Sequence, residues 1–385
     1  MIYYLAPYVD AREALDRDIV SSATRKIRYI VSRIKQLDYD VSIISTAPLK
    51  AGYRHSEFHK FIFDEHENHI YLEGIAVRIP VLSSLFFARE IKRYLSDTLL
   101  PDDIVIAYHS PMLLTLYSWL SSRANCFILE LNDRYSLHYK NRIKSYIISR
   151  AEKWSVKYAK RFILASEWLE EYVPKGSKCI VNYGDTSVSR KNVEARGSNA
   201  AYRVVYAGVI ERLRNAAFIV AMSAAMLPPD IEVYIAGFGK SDAVEELNNL
   251  VDRQNRNSSH AKVYFLGKLE GSALDELLDS CDVGVNAHSY PEGDEWQAKY
   301  SFPSKIPLYC GHGLPVITCC EEIFRSCQYG ECLRFFKSGD PGSLAASVLS
   351  LREEGELEVD PREVAREVDG KFMNDLEGLL LTSGS

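Results

Sequence analysis

The sequence predicts an α/β protein built from two Rossmann-like domains. Three features carry that expectation. Short apolar, β-branched segments alternate with helix-length amphipathic ones from Ile2 onward. A run from Gly184 to Ala200, rich in Ser, Arg, Asn and Gly, interrupts the pattern. The pattern then restarts with three strand-like segments that each run into a glycine, at Gly208, Gly237 and Gly267. Such alternation marks a parallel sheet with helices on its faces, and the interruption has the composition of a linker. The expected boundaries are a first domain over 1–184, a linker over 185–200, a second domain over 201–358 and a terminal helix over 359–385.

The 385 residues give ample chain for two cores, and 47% hydrophobic with 25% charged residues is an ordinary globular balance. A net charge of −6 argues against whole-protein affinity for nucleic acid. No apolar run approaches the roughly 20 residues that span a bilayer, and Asp10, Arg12 and Glu13 stand where a signal-peptide core would lie. A cytoplasmic location is expected. The eight cysteines include no CxxC pair and lie mostly in apolar segments, which predicts reduced core thiols.

In the first half, Ile2 to Ala6 reads as a strand, Ile19 to Leu37 as a helix and Val41 to Ser45 as the next strand, a βαβ opening. Lys60 to Asp64 and Ile70 to Glu73 flank an acidic, histidine-bearing turn and read as a hairpin or edge pair, followed by a helix over Leu85 to Leu95. Asp103 to His109, Cys126 to Leu131 and Arg161 to Ala165 are further central strands. Ligands of parallel sheets sit at the C-terminal strand edges, so His109 and the Glu130, Asn132, Asp133 cluster are candidates by position. Capping of the next helix or loop accounts for the same residues. His55, His59, His66 and His69 have spacings a metal could use, but no cysteine or paired carboxylate completes a ligand set, and no metal is assigned.

Between Arg134 and Arg161 nine basic residues face a single acid, Glu152, a local charge of +8 in an acidic protein. Tyr135, Tyr139, Ile143, Tyr146, Ile147 and Trp154 are interleaved with them. A helix of this kind suits an anionic membrane surface or an acidic acceptor; a solvated helix with a core face is the other reading.

In the second half, strands are expected at Tyr202 to Gly208, Ile231 to Gly237, Ala261 to Gly267, Asp282 to Ala287 and Cys332 to Phe336. The intervening helices are expected at Asn215 to Met226, Ala243 to Arg253, Ser272 to Ser280 and Ser343 to Leu351. Bare glycines let a ligand approach the main chain. Within YSFPSKIPLYCGHGLPVIT, Tyr300 to Thr318, Pro303 suits a first helical turn, and Ser304 and Lys305 put a hydroxyl and a cation at the same end. That helix end is a natural phosphate site.

VVYAG at Val204 to Gly208, IAGFG at Ile235 to Gly239, VYFLGKL at Val263 to Leu269, CDVGVNA at Cys281 to Ala287, and FPSK with GLPVI occur in a fixed order. Together they resemble the nucleotide-sugar-binding domain of the family four glycosyltransferases, whose GT-B architecture sets two Rossmann-like domains facing across a cleft. DIVIAYHSP at Asp103 to Pro111 and RFILAS at Arg161 to Ser166 resemble strands of the family's first domain more weakly.

The resemblance implies a retaining, metal-independent transfer of a sugar, of hexosyl type, from a UDP- or GDP-linked donor to a hydroxyl acceptor, with no cofactor. It implies catalytic roles for His109 beside the donor sugar and for Lys305 and Arg212 at the diphosphate. Gly208, Arg214, Gly237, Gly267, Leu269, Ser304 and Lys305 would bind the donor, with Leu269 beside the base. Glu130, Asn132 and Asp133 become acceptor-side candidates. The acceptor would be a carbohydrate or lipid-linked molecule of surface polysaccharide or glycolipid assembly, and 134–161 a peripheral contact with the inner face of an anionic membrane. By analogy with the fold, the terminal helix returns to the first domain.

The chain departs from the family at the paired glutamates: where KLFEY is common it reads Lys305, Ile306, Pro307, Leu308, Tyr309, and the first carboxylate position falls on Tyr300, near Glu292, Asp294 and Glu295. Two other readings therefore stand beside the first, a catalytically silent GT-B subunit that binds a partner enzyme and a sugar-nucleotide epimerase of the same fold.

Overall fold

The computed structural model describes residues 1–9, 21–47, 54–55, 59–64, 67–71, 74–75, 80–110, 113–139, 141–189, 200–290, 294–355 and 357–381. His66, Pro111, Lys140, Glu292 and the linker stretch 190–199 lie outside the described residues, as do the side chains of His55, His59 and His69. Contacts divide the chain into two compact units. One comprises Met1–Asp185, Lys299–Phe302 and Lys371–Ser385, the other Thr186–Ala298 and Pro303–Gly370.

The first unit runs β1 (Ile2–Ala6), α1 (Ser21–Gln36), β2 (Val41–Ser45), β3 (Arg54–His55), β4 (His59–Asp64), β5 (Glu67–Tyr71), β6 (Gly74–Ile75) and α2 (Pro80–Thr98). It continues with β7 (Ile104–Tyr108), α3 (Leu114–Arg123), β8 (Cys126–Leu131), α4 (Arg142–Ser155), β9 (Arg161–Leu164) and β10 (Lys178–Val181). Eight strands form one sheet in the order β10-β9-β8-β7-β1-β2-β5-β4. All neighbours are parallel except β4 and β5, the expected edge pair. The central strands are mostly apolar because both faces are covered, Leu5, Val105 and Leu129 packing with α2 and α3 residues on one side and Ile2, Tyr4 and Ile106 with α1 residues on the other. Phe372, Leu376 and Leu379 close that second face.

The other unit runs β11 (Tyr202–Ile210), α5 (Ala216–Ser223), β12 (Ile231–Gly239), α6 (Ser241–Gln254), β13 (Lys262–Phe265), α7 (Ser272–Asp279) and β14 (Val283–Asn286). Then come α8 (Lys305–Gly311), β15 (Val316–Thr318), α9 (Glu321–Phe324), β16 (Leu333–Phe335), α10 (Pro341–Glu354) and α11 (Pro361–Leu380), whose last ten residues fall in the first unit. Its parallel sheet has the order β13-β12-β11-β14-β15-β16. Strand order reverses between β11 and β14, so their C-terminal ends splay apart and open a crevice.

Local chemistry sets several boundaries differently from the sequence expectation. Asp340 accepts from the Gly342 and Ser343 amides at 2.9 and 3.1 Å, so α10 starts at Pro341, two residues before Ser343. α8 starts at Lys305 after a single turn in which Ile306 N–H donates to the Pro303 carbonyl at 3.0 Å; Pro307 then falls in the first turn, where its missing N–H loses nothing. β11 and β12 do not end at Gly208 and Gly237. Each continues two residues, to Ile210 and Gly239, because Gly208 and Gly237 are opposite one another inside the ladder, and a Cβ on Gly237 would lie 2.0 Å from the Gly208 carbonyl oxygen.

Tyr309 anchors α8. Its ring covers the bare face of Gly284, where a Cβ would come within 2.4 Å of ring carbons, and its hydroxyl accepts from the Ala207 amide at 2.9 Å. Neither strand nor ring has room to move, so Gly284→Ala is expected to destabilise this unit by about 1–3 kcal/mol, read as a lower urea midpoint at unchanged slope.

Candidate functional site

The crevice between β11 and β14 gathers the cations. Lys305, half-buried, lies across Gly208: a Cβ built there would meet the lysine Cε at 2.5 Å and its Nζ at 3.0 Å. The close approach read into Gly208 is thus made by Lys305. Its ammonium stands 5.4 Å from the Tyr206 ring centroid, within cation–π range. It has no hydrogen-bond or ion-pair partner among the described residues. Burial and then the Arg214 charge push its pKa down to about 8, against the opposing pull of Glu211.

Arg214 follows β11 in the loop that Asn215 closes with a left-handed backbone (φ 52°). Its Nε is 3.6 Å from Glu211, and its Nη1 is 3.3 Å from His288 Nε2. A guanidinium only donates, so Nε2 is the acceptor and the imidazole proton sits on Nδ1. Burial, reinforced by Lys305 and Arg214, keeps the His288 pKa well below its ordinary value and the ring neutral. Two cations therefore share the crevice with one carboxylate, which is an anion-binding balance.

The other donor-side candidates are placed differently. Arg212 is withdrawn from the crevice chemistry: Glu246 takes its Nε at 2.6 Å and its guanidinium covers the Phe218 ring at 4.0 Å, so Arg214 is the arginine that bears on Lys305. Gly237 donates its amide to the Gly267 carbonyl at 2.7 Å, and its missing side chain serves strand packing. Gly267 turns the chain out of β13 with φ +69° and has open space around it. Leu269 is half-buried just beyond. Ser304 is exposed and its hydroxyl caps nothing. Leu308 is half-buried, as are Asp294 and Glu295, while Tyr300 is buried in the core of the first unit, edge-on to Tyr172 at 5.1 Å. His288 was missed by the sequence reading. The rule that selected His109, a histidine directly beyond a parallel strand, selects it equally.

In the first unit, His109 is 2% exposed and stacked against Tyr117. Ser155 spends its proton on the Glu152 carbonyl at 2.7 Å, so His109 Nε2–H donates to the serine oxygen at 2.6 Å and Nδ1 is left as a buried, unpaired acceptor. Burial takes its pKa down to about 3, which keeps it neutral. It lines a small pocket with Asp133, Arg134, Ser149, Glu152, Lys153 and Tyr172.

The acidic cluster splits. Glu130 lies inside β8, fully buried, accepting from the Tyr4 hydroxyl with Lys26 Nζ at 3.2 Å. Asn132 accepts from the same lysine, and Asp133 takes the Arg134 amide at 2.7 Å. Glu130 is therefore a structural ion pair. Burial lowers the Lys26 pKa and Glu130 opposes that shift.

α4 carries the middle of the basic segment. Asn141 caps it, accepting from the Ile143 and Lys144 amides at 3.0 and 3.1 Å. Ile143, Tyr146, Ile147 and Trp154 are each more than half exposed, alongside Arg142, Lys144, Arg150 and Lys153. Among the described residues no helix is long and apolar enough to cross a membrane.

The sequence model of a family described as glycosyl transferases group 1 matches residues 201–354. Among curated proteins none matches this sequence. HepE of Anabaena in complex with UDP aligns at 14% identity and a TM-score of 0.62, with 98% of each chain covered. Sucrose-phosphate synthase from Thermosynechococcus elongatus aligns at 15% identity and a TM-score of 0.64, over 98% of this chain and 94% of that one. The lipopolysaccharide outer core galactosyltransferase WaaB aligns at 12% identity and a TM-score of 0.63, with 98% of each chain covered. At these identities the likeness is one of fold.

The Lys26–Glu130 pair makes a sharp stability test. Lys26→Met leaves a carboxylate buried without its cation and is expected to cost about 3–5 kcal/mol in urea unfolding, whereas replacing both partners with apolar residues recovers most of that loss.

Proposed function

We propose that this chain is a glycosyltransferase that moves a hexosyl group from a UDP- or GDP-linked donor to a hydroxyl acceptor, with retention and without a resident metal; the match of residues 201–354 to the group 1 glycosyl transferase model and the GT-B fold support that reading. The observation that carries this is Lys305 lying over Gly208 with the Arg214 charge bearing on its ammonium, at the point where strand order reverses. Sugar transfer from a nucleotide donor leaves a nucleoside diphosphate, so negative charge grows on the leaving oxygen. Fixed cations aimed there stabilise the transition state more than the ground state. HepE is also solved with UDP-glucose and an E. coli neighbour with UDP-2-fluoro glucose, which favours UDP of the two donors.

The acceptor belongs to the first unit, at the sheet edge that carries Asp133 and the His109 pocket. α4 supplies the reason to place that acceptor in a glycolipid or surface polysaccharide: exposed apolar side chains among exposed basic ones suit the surface of an anionic membrane. The outer core galactosyltransferase among the fold neighbours supports the same class. Leu308 favours a second reading, a subunit that binds nucleotide without transferring sugar, because no carboxylate stands in its register.

Calorimetry against UDP, GDP and ADP tests the donor reading, with binding of at least one expected and absence of all three counting against it. Lys305→Met should weaken that binding more than tenfold by removing a phosphate cation. The lysine is charged below its pKa and loses its proton as pH rises through about 8. Wild-type affinity should therefore fall about tenfold between about pH 7.5 and about pH 9, while Lys305→Met is flat over that range. Hydrolysis of nucleotide sugars by the wild type separates enzyme from silent subunit.

Sedimentation with vesicles containing anionic phospholipid tests the membrane contact. The protein should pellet at low salt and be released at high salt, and Ile147→Glu should abolish pelleting. A wild type that stays in solution at low salt removes the contact.

A further inference from the structure

His288 has no counterpart among the groups a diphosphate needs, yet it sits against the arginine that forms half of the cation pair. The segment around it is fastened on several sides. The Cys319 thiol donates to the His288 carbonyl at 3.0 Å, the Ser289 amide donates to the Arg214 carbonyl at 2.9 Å, and the Tyr290 amide donates to Ser338 Oγ at 3.1 Å. Arg214 is therefore held by two adjacent residues, through its main chain by Ser289 and through Nη1 by His288. Its Nε faces Glu211, and Nη2 has no hydrogen-bond partner among the described residues.

We propose that His288 is the positioning residue for Arg214, fixing the guanidinium so that its free edge joins Lys305 in gripping the anionic part of the donor. This rests on the diphosphate reading of the crevice. The chemistry explains why an imidazole stands here. A long arginine side chain loses rotamer freedom when it binds, and a fixed acceptor on one nitrogen removes much of that cost beforehand. A carboxylate would hold Arg214 as well but would neutralise it and repel the incoming phosphate. A neutral imidazole accepts the hydrogen bond and adds no negative charge. Glu211, already on the Nε side, supplies the single counter-charge.

The test is UDP binding by calorimetry on the full chain. His288→Leu removes the acceptor and should raise the Kd about tenfold. His288→Gln retains an acceptor oxygen and should return the Kd to within about threefold of wild type. In the Arg214→Ala background His288→Leu should change nothing further, a result that general damage to the fold would not give. An independent readout needs no variant: nitrogen NMR of the wild type should find the His288 proton on Nδ1, with Nε2 accepting. Equal UDP affinity in wild type and His288→Leu, no rescue by glutamine, or a proton on Nε2 would each overturn the positioning role while leaving the diphosphate reading intact. Absence of UDP, GDP and ADP binding by the wild type overturns that reading and this role with it.

Discussion

The second unit depends on one helix filling two notches. Lys305 and Tyr309 are four residues apart on α8 and so share a face. Gly208 on β11 receives the lysine and Gly284 on β14 receives the tyrosine. Those two strands flank the point where sheet order reverses, so the packing that seats the helix also carries an ammonium into the crevice. The tyrosine does the structural half, burying its ring and taking the Ala207 amide. The lysine can then remain without a partner, because it is not what holds the helix down. A short helix with a proline in its first turn would be a weak platform alone; two side chains locked in glycine notches make it a rigid one.

The two sheets treat charge in opposite ways. At the edge of β8 a buried glutamate is matched internally by Lys26 and Tyr4, so the cluster that draws attention in the sequence is spent within the fold. At the edge of β11 the cations outnumber their carboxylate, and the histidine beside them is kept neutral by burial and by those same charges. Like charges held together at a crevice raise the free energy of the empty site, and an anion relieves it. The asymmetry fits the proposed placement of the donor's anionic part on the second unit and leaves the first with a pocket of mixed charge beside His109 and Tyr172.

What the sequence disclosed and what it hid divide by range. Alternation of β-branched and amphipathic segments is local, so strands, helices and both parallel sheets were legible, as was the lysine behind Pro303. The choice between Arg212 and Arg214 was not, because it is made by Glu246, 34 residues from Arg212. Glu130 looked like a loop acid because nothing near it in the chain announces Lys26. Gly208 and Gly237 looked like strand ends because a glycine's usual reason is a turn, whereas Gly208 makes room for the Lys305 side chain and Gly237 for the main chain of Gly208. His288 was hidden by a rule applied to one sheet and not to its counterpart.

The paired-carboxylate pattern has a physical consequence. Carboxylates in that register would accept hydrogen bonds from sugar and ribose hydroxyls, contacts that discriminate well because an unmatched buried acceptor is costly. Here Leu308 offers no polar atom, and the Tyr300 ring is built into the other unit's core beneath Arg134. On the proposed reading, recognition by α8 and the β11 loop therefore rests on charge, which reads the presence of a diphosphate and not the identity of what it carries. Discrimination among donors has to come from main-chain and apolar groups beyond β13, where Gly267 turns the chain with open space around it and Leu266 is partly exposed. On the proposed reading Lys305 and Arg214 set whether a nucleotide binds, and the loop after β13 sets which one.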